Sequence, residues 1–200
     1  MKKTIYSTLL TITMLFSVHL TVNAASLGLT TDNPMLGSSS VTVDYLEFGS
    51  DGDLSSFGAE IDSSNGVTPV GFTGLSFGVG FPLATPTIGA TGFFDIFDDN
   101  GSFLGGDLLA VGFTENVIEF QFDNIIGSAA GSFGNSVLAL ITFDAPLGTN
   151  PFSGFIDGNF YTASVSIYNI SPVPEPSMLA LLSIGLIGLF FYRRSQYTMK

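Results

Sequence analysis

The stretch Val117-Ile118-Glu119-Phe120-Gln121-Phe122-Asp123 alternates without a break. Ile118, Phe120 and Phe122 share one face; Glu119, Gln121 and Asp123 share the other. Side chains of an extended strand point to opposite sides in turn, so a period of two reads as a half-buried β-strand. Tyr161, Ala163, Val165 and Ile167 repeat the pattern opposite Thr162, Ser164 and Ser166. Working outward, strand-like runs recur at Val41 to Phe48, Phe72 to Phe81, Gly92 to Phe97, Leu108 to Phe113 and Val137 to Phe143, each set off by turn residues. Between Ala25 and Pro172 the chain has 22 Gly and 17 Phe. Glycine at that density disfavours long helices, and the rings supply a large apolar area to bury. Seven to ten short strands therefore predict an all-β domain over residues 25–170. The expected form is an antiparallel β-sandwich, with a jelly roll as one version. Asn124 to Asn135, rich in Gly, Ala and Ser, reads as a loop.

Charge is distributed unevenly. The five basic residues are Lys2, Lys3, Arg193, Arg194 and Lys200, all near a chain end. The 148 residues from Ala25 to Pro172 hold no Lys or Arg and 16 of the 17 acids. A domain without cations cannot neutralise phosphates, so nucleic acid is excluded as a partner. The chain has no Cys, and its one His, His19, precedes the domain. Disulfides, thiol nucleophiles and Ser-His-Asp, Cys-His, Schiff-base or His-metal chemistry are thereby ruled out for the domain. Only carboxylates remain as acid–base groups, so no enzymatic activity and no resident cofactor are expected.

The ends read as addresses. Lys2 and Lys3, an apolar run from Ile5 to Leu20, and Val22-Asn23-Ala24 form a secretory signal over residues 1–24, with cleavage expected between Ala24 and Ala25. Pro174-Glu175-Pro176 lies in a linker over residues 171–177. An uncharged run from Met178 to Tyr192 follows, then Arg193-Arg194 in a basic tail over 193–200. Fifteen helical residues span about 22 Å, short of the roughly 30 Å bilayer core but able to insert with local thinning. The Arg pair should stay cytoplasmic, which leaves the domain outside.

Pro174-Glu175-Pro176, the short apolar segment and Arg193-Arg194, in that order, resemble the PEP-CTERM sorting signal. The resemblance covers about 25 of the 200 residues. It implies recognition by exosortase, a membrane-embedded processing enzyme, cutting near the PEP motif, and delivery to the cell surface or extracellular matrix. It also implies a part in biofilm or surface structure alongside exopolysaccharide. Pro174 and Pro176 lack N–H groups and hold the segment extended, a form that a processing enzyme can engage.

Calcium is the one metal worth weighing. Asp95, Asp98, Asp99, Asn100 and, further on, Asp107 place oxygen ligands around the Asn100-Gly101 turn, with Asp98, Asn100 and Asp107 the strongest candidates; Asp51-Gly52-Asp53 is a second cluster. The competing reading is a hairpin turn, where Asp and Asn are common anyway. The expectation is thus an exported, non-enzymatic β-protein with a structural or adhesive role. A carbohydrate-binding module or a two-carboxylate glycosidase are the alternatives.

Overall fold

The structure is a computed structural model that describes residues 26–171. Nine strands form a single sheet. They are β1 (Thr30–Phe48), β2 (Asp51–Ala59), β3 (Ser63–Asn65), β4 (Gly74–Pro82), β5 (Thr91–Asp98), β6 (Gly101–Phe113), β7 (Val117–Ile126), β8 (Val137–Phe143) and β9 (Asn159–Ser171). One helical turn, α1 (Ala130–Phe133), lies between β7 and β8, and a 3-10 turn (Pro151–Ser153) between β8 and β9. The runs seen in the sequence fall within strands except at Phe72 and Thr73, which precede β4, and β2 matches none of them; every pairing is antiparallel.

The expected sandwich is wrong. The sheet runs β2-β4-β5-β6-β7-β8-β9-β1, and β1 also pairs with β2, so eight strands close into a barrel. The short β3 hangs on the N-terminal half of β1. Each barrel strand pairs with the next one along the chain, an up-and-down order unlike a jelly roll. The closing contact joins first strand to last, from Thr30↔Ser171 to Tyr45↔Asn159. Cross-strand partners run from Asp44 through Ser55, Gly78, Phe93 and Asp107 to Asp123. From the adjacent Phe122 they continue through Val137 and Asn169 to Asp32. One circuit thus returns to β1 about a dozen residues from its start, the stagger of strongly tilted strands. That offset explains why β1 is 19 residues long, with register shifts between Asp32 and Met35 and between Ser38 and Val41. It pairs with β9 along most of its length and with β2 only near its C-terminal end.

The inward faces fill the barrel. Phe77, Phe94, Phe120 and Phe122 meet at its centre, with Phe94 and Phe122 ring centroids 4.7 Å apart. The void left among them is about 10 Å³, no more than the roughly 10–15 Å³ that a single water needs. The β8–β9 connection closes one end. Asn150 caps the 3-10 turn by accepting the Phe152 N–H at 3.1 Å, and Pro151 pre-sets its first residue. Phe152 is thereby turned in against Phe81 at 4.8 Å and Phe113 at 5.5 Å, and Phe155 against Tyr45 at 5.0 Å. At the other end β7 runs on to Ile126, into the segment expected to be a loop. Gly127 follows with φ 103°, its α-carbon so close to Phe103 that a methyl there would stand 2.5 Å from the Phe103 carbonyl oxygen. The Ala129 N–H then bonds that carbonyl at 2.9 Å, and α1 drives Phe133 into the core. β9 reaches Ser171, so the barrel includes the first residue assigned to the linker.

Phe133 is fully buried and Phe57 is 76% exposed. Phe133→Ala should cost about 3–5 kcal/mol in thermal or urea unfolding, whereas Phe57→Ala should stay within about 0.5 kcal/mol of the parent.

Candidate functional site

Asp98 ends β5 on its inward-facing side and is 7% exposed. Its Oδ2 accepts the Val70 N–H at 3.0 Å and its Oδ1 the Asn100 N–H at 2.8 Å. Asp99 accepts the Phe72 N–H at 3.2 Å, and its own N–H donates to the Val70 carbonyl at 3.0 Å. The two acids clasp the Val70–Phe72 segment against the β5–β6 turn, where Asp99 and Asn100 sit between the paired Asp98 and Gly101. Asp95 accepts the Ser102 hydroxyl at 2.9 Å. Asp107 pairs with Phe93 in the register, five positions from Asp98, or roughly 17 Å along the strand. Asp98, Asn100 and Asp107 are therefore not brought together. Among the described residues no group of three His, Cys, Asp or Glu is placed to hold a metal ion.

Asp51 and Asp53 alternate with the inward Gly52 and Leu54 on β2. Burial, with a smaller push from Asp44, raises the Asp53 carboxyl above its ordinary 3.8, while a hydrogen bond with Ser55 opposes the rise. Asp62 goes the other way. The Ser39 hydroxyl and then the Ser39 N–H both donate to it and hold it below 3.8. The buried Tyr45 phenol is pushed up by desolvation first, then by its 2.9 Å hydrogen bond to Glu47. Glu119, expected on the solvent face of β7, is 7% exposed, and its carboxylate accepts the Leu27 N–H. Each of these carboxylates takes its donors from N–H groups or hydroxyls, as a domain without cations requires.

A concavity on the outer wall was not visible in the sequence. It is an open cleft of about 630 Å³ lined by Leu109, Asp123, Asn124, Ile125, Ile126, Gly134, Asn135 and Ser136. It lies between β7 and the α1–β8 connection, and two register shifts between β6 and β7 shape its edge at Leu109, one between Gly105 and Asp107 and one between Leu108 and Ala110. Asn124 sits at the bulge with φ 50°, in the left-handed region that asparagine tolerates. Its amide donates to Asp107 Oδ2 at 3.2 Å. Asp107 and Asp123 are direct cross-strand partners, so both carboxylates face outward side by side. Beyond Asp107 stands Phe93, 49% exposed, its ring against Gly78, where an added methyl would lie 3.4 Å away. A bulge depends on which strand lies alongside, and the alternation of a single strand does not record that.

Pro174, Glu175, Pro176, Arg193 and Arg194, the expected cleavage point at Ala24 and Ala25, and the apolar run Met178 to Tyr192 lie outside the described residues. Among the described residues no helix is long and apolar enough to cross a membrane. Thr30 and Ser171 pair, so both ends of the barrel chain leave side by side. The chain matches a family model described as the PEP-CTERM protein-sorting motif over residues 172–195. No curated protein and no solved structure matches it.

Two pH effects of opposite sign follow. A carboxyl that binds its proton more tightly when folded costs stability as pH rises, so Asp53→Asn should raise the melting temperature at pH 7, and the gain should vanish below about pH 3.8. Asp62 contributes stability above 3.8 that is lost as pH falls through its lowered value, so Asp62→Asn should melt earlier at pH 7 and match the parent in strong acid. Asp98→Ala, which leaves two N–H groups without acceptors, should cost about 1–3 kcal/mol with or without calcium.

Proposed function

We propose, from the premise that this chain is a PEP-CTERM protein exported and sorted by the membrane enzyme exosortase, that its barrel is a non-enzymatic structural or adhesive element of the cell surface or matrix. The observation that carries the proposal is the filled interior. Eight-stranded barrels can hold one small ligand, but here phenylalanine rings leave about 10 Å³. Contacts with other molecules then fall to the outer wall.

The absence of Lys, Arg, His and Cys from residues 25–172 supports a non-enzymatic role, since only carboxylates and the phenols of Tyr45, Tyr161 and Tyr168 could move protons. The 16 acids keep the domain soluble and attract divalent ions diffusely, which would bridge it to anionic exopolysaccharide without a built metal site. Geometry supports the sorting step. Ser171 is held in the barrel by pairing with Thr30, and residues 172–177, fully extended, span at most about 20 Å. While the tail is still in the membrane, the barrel end carrying Thr30 and Ser171 stays close to the bilayer. A cut beyond Ser171 would leave every described strand intact.

Mass spectrometry of the protein from cells and medium should find a mature chain beginning at Ala25 and ending near Pro174-Glu175-Pro176. Matrix association should rise with millimolar calcium and fall with EDTA. An uncut 200-residue chain in the cytosol would overturn the sorting reading. Matrix association indifferent to calcium would overturn the bridging role.

A further inference from the structure

We propose that the cleft between β7 and the α1–β8 connection, with Leu109 of β6 at its edge, and the nearby Phe93 form a binding site for a neutral saccharide chain. The inference rests on the surface role above and adds a direct contact to it, one that needs no bridging ion. The cleft is large enough for a small ligand, at about 630 Å³, and opens on the outer wall, where the filled interior leaves binding to occur. Its lining pairs two kinds of surface. Leu109 and Ile126, 55% and 62% exposed, offer apolar contact. Asp123, Asn124, Asn135 and Ser136 offer oxygen acceptors and amide donors. A sugar ring presents the matching pair, C–H faces and a rim of hydroxyls.

Charge selects among sugars. No Lys or Arg occurs between Ala25 and Pro172, and Asp107 and Asp123 stand together at the cleft edge. An anionic sugar would meet repulsion with no cation to answer it, whereas neutral hydroxyls can donate to both carboxylates. Phe93 lies two strand spacings from Asp123 by way of Asp107, about 10 Å. That separation suits neighbouring rings of a chain rather than one monosaccharide. The glycine beneath Phe93 leaves its ring against a flat stretch of β4, available for stacking. The 3.2 Å bond from Asn124 to Asp107 fixes the polar groups before a ligand arrives.

Affinity electrophoresis of the full-length protein in mild detergent, through gels holding dextran, hydroxyethylcellulose or alginate, tests this. Retardation is expected by at least one of the two neutral polymers, unchanged by EDTA, with none by alginate under EDTA. Asn124→Gly keeps the left-handed backbone but removes the amide, and Phe93→Ala removes the platform. Each should weaken retardation about tenfold, the loss of roughly one good contact, while leaving the melting temperature within a few degrees. The proposal is overturned if neither neutral polymer retards the protein, if EDTA abolishes the retardation, or if both variants bind like the parent. Failure of these arms with a normally processed, surface-located protein removes this site alone; an unprocessed cytosolic chain removes the reading beneath it.

Discussion

The pairing of the first strand with the last holds the molecule together. Every other barrel contact joins strands adjacent in sequence and could form as an open meander. Only β1 against β9, partnered from Thr30↔Ser171 to Tyr45↔Asn159, turns that meander into a ring. Closure removes the exposed sheet edges that invite aggregation. It also sets the sorting geometry, because the strand that completes the ring is the one that leads into the tail. A cut inside β9 would open the barrel; a cut beyond Ser171 leaves it whole.

Closure makes an inside, and the inside is occupied. Phenylalanines fill the middle, and Phe152, Phe155 and Phe133 are carried in from the two ends by connections whose local chemistry aims them. Asn150 and Pro151 aim the first pair; Gly127 and α1 aim the last. The acids cannot be neutralised by side chains of opposite sign, so they serve as acceptors instead. Asp98 and Asp99 hold the Val70–Phe72 segment, Asp62 holds Ser39, and Glu119 holds the chain at Leu27. Asp98 and Asp99, two of the residues that suggested calcium in the sequence, thus work as clasps.

Much of this was legible in the chain and some was not, for a physical reason. Alternation at Ile118-Phe120-Phe122 reports which side of a strand is buried, and runs of this kind mark seven of the eight barrel strands; β2, whose Asp51-Gly52-Asp53 reads as an acidic cluster, is the one they miss. It does not report which strand lies alongside. A sandwich and a barrel present the same period of two, so closure was invisible, and with it the bulge at Asn124. Phe133 was read as part of a loop because its burial depends on a tight turn at Gly127 against Phe103, over twenty residues away. Glu119 reads as solvent-facing because its partner, the Leu27 N–H, lies 92 residues away in the chain. The sorting motif, by contrast, is contiguous, and its residues could be identified directly.

The most direct test of the account is native-state hydrogen exchange along the β1–β9 seam. Closure predicts that amides within Val41–Tyr45 and Phe160–Val165 exchange as slowly as those in β7 and β8, through opening of the whole domain. Rapid exchange at the seam, with β7 and β8 still protected, would show an open sheet and contradict the barrel on which the functional reading rests.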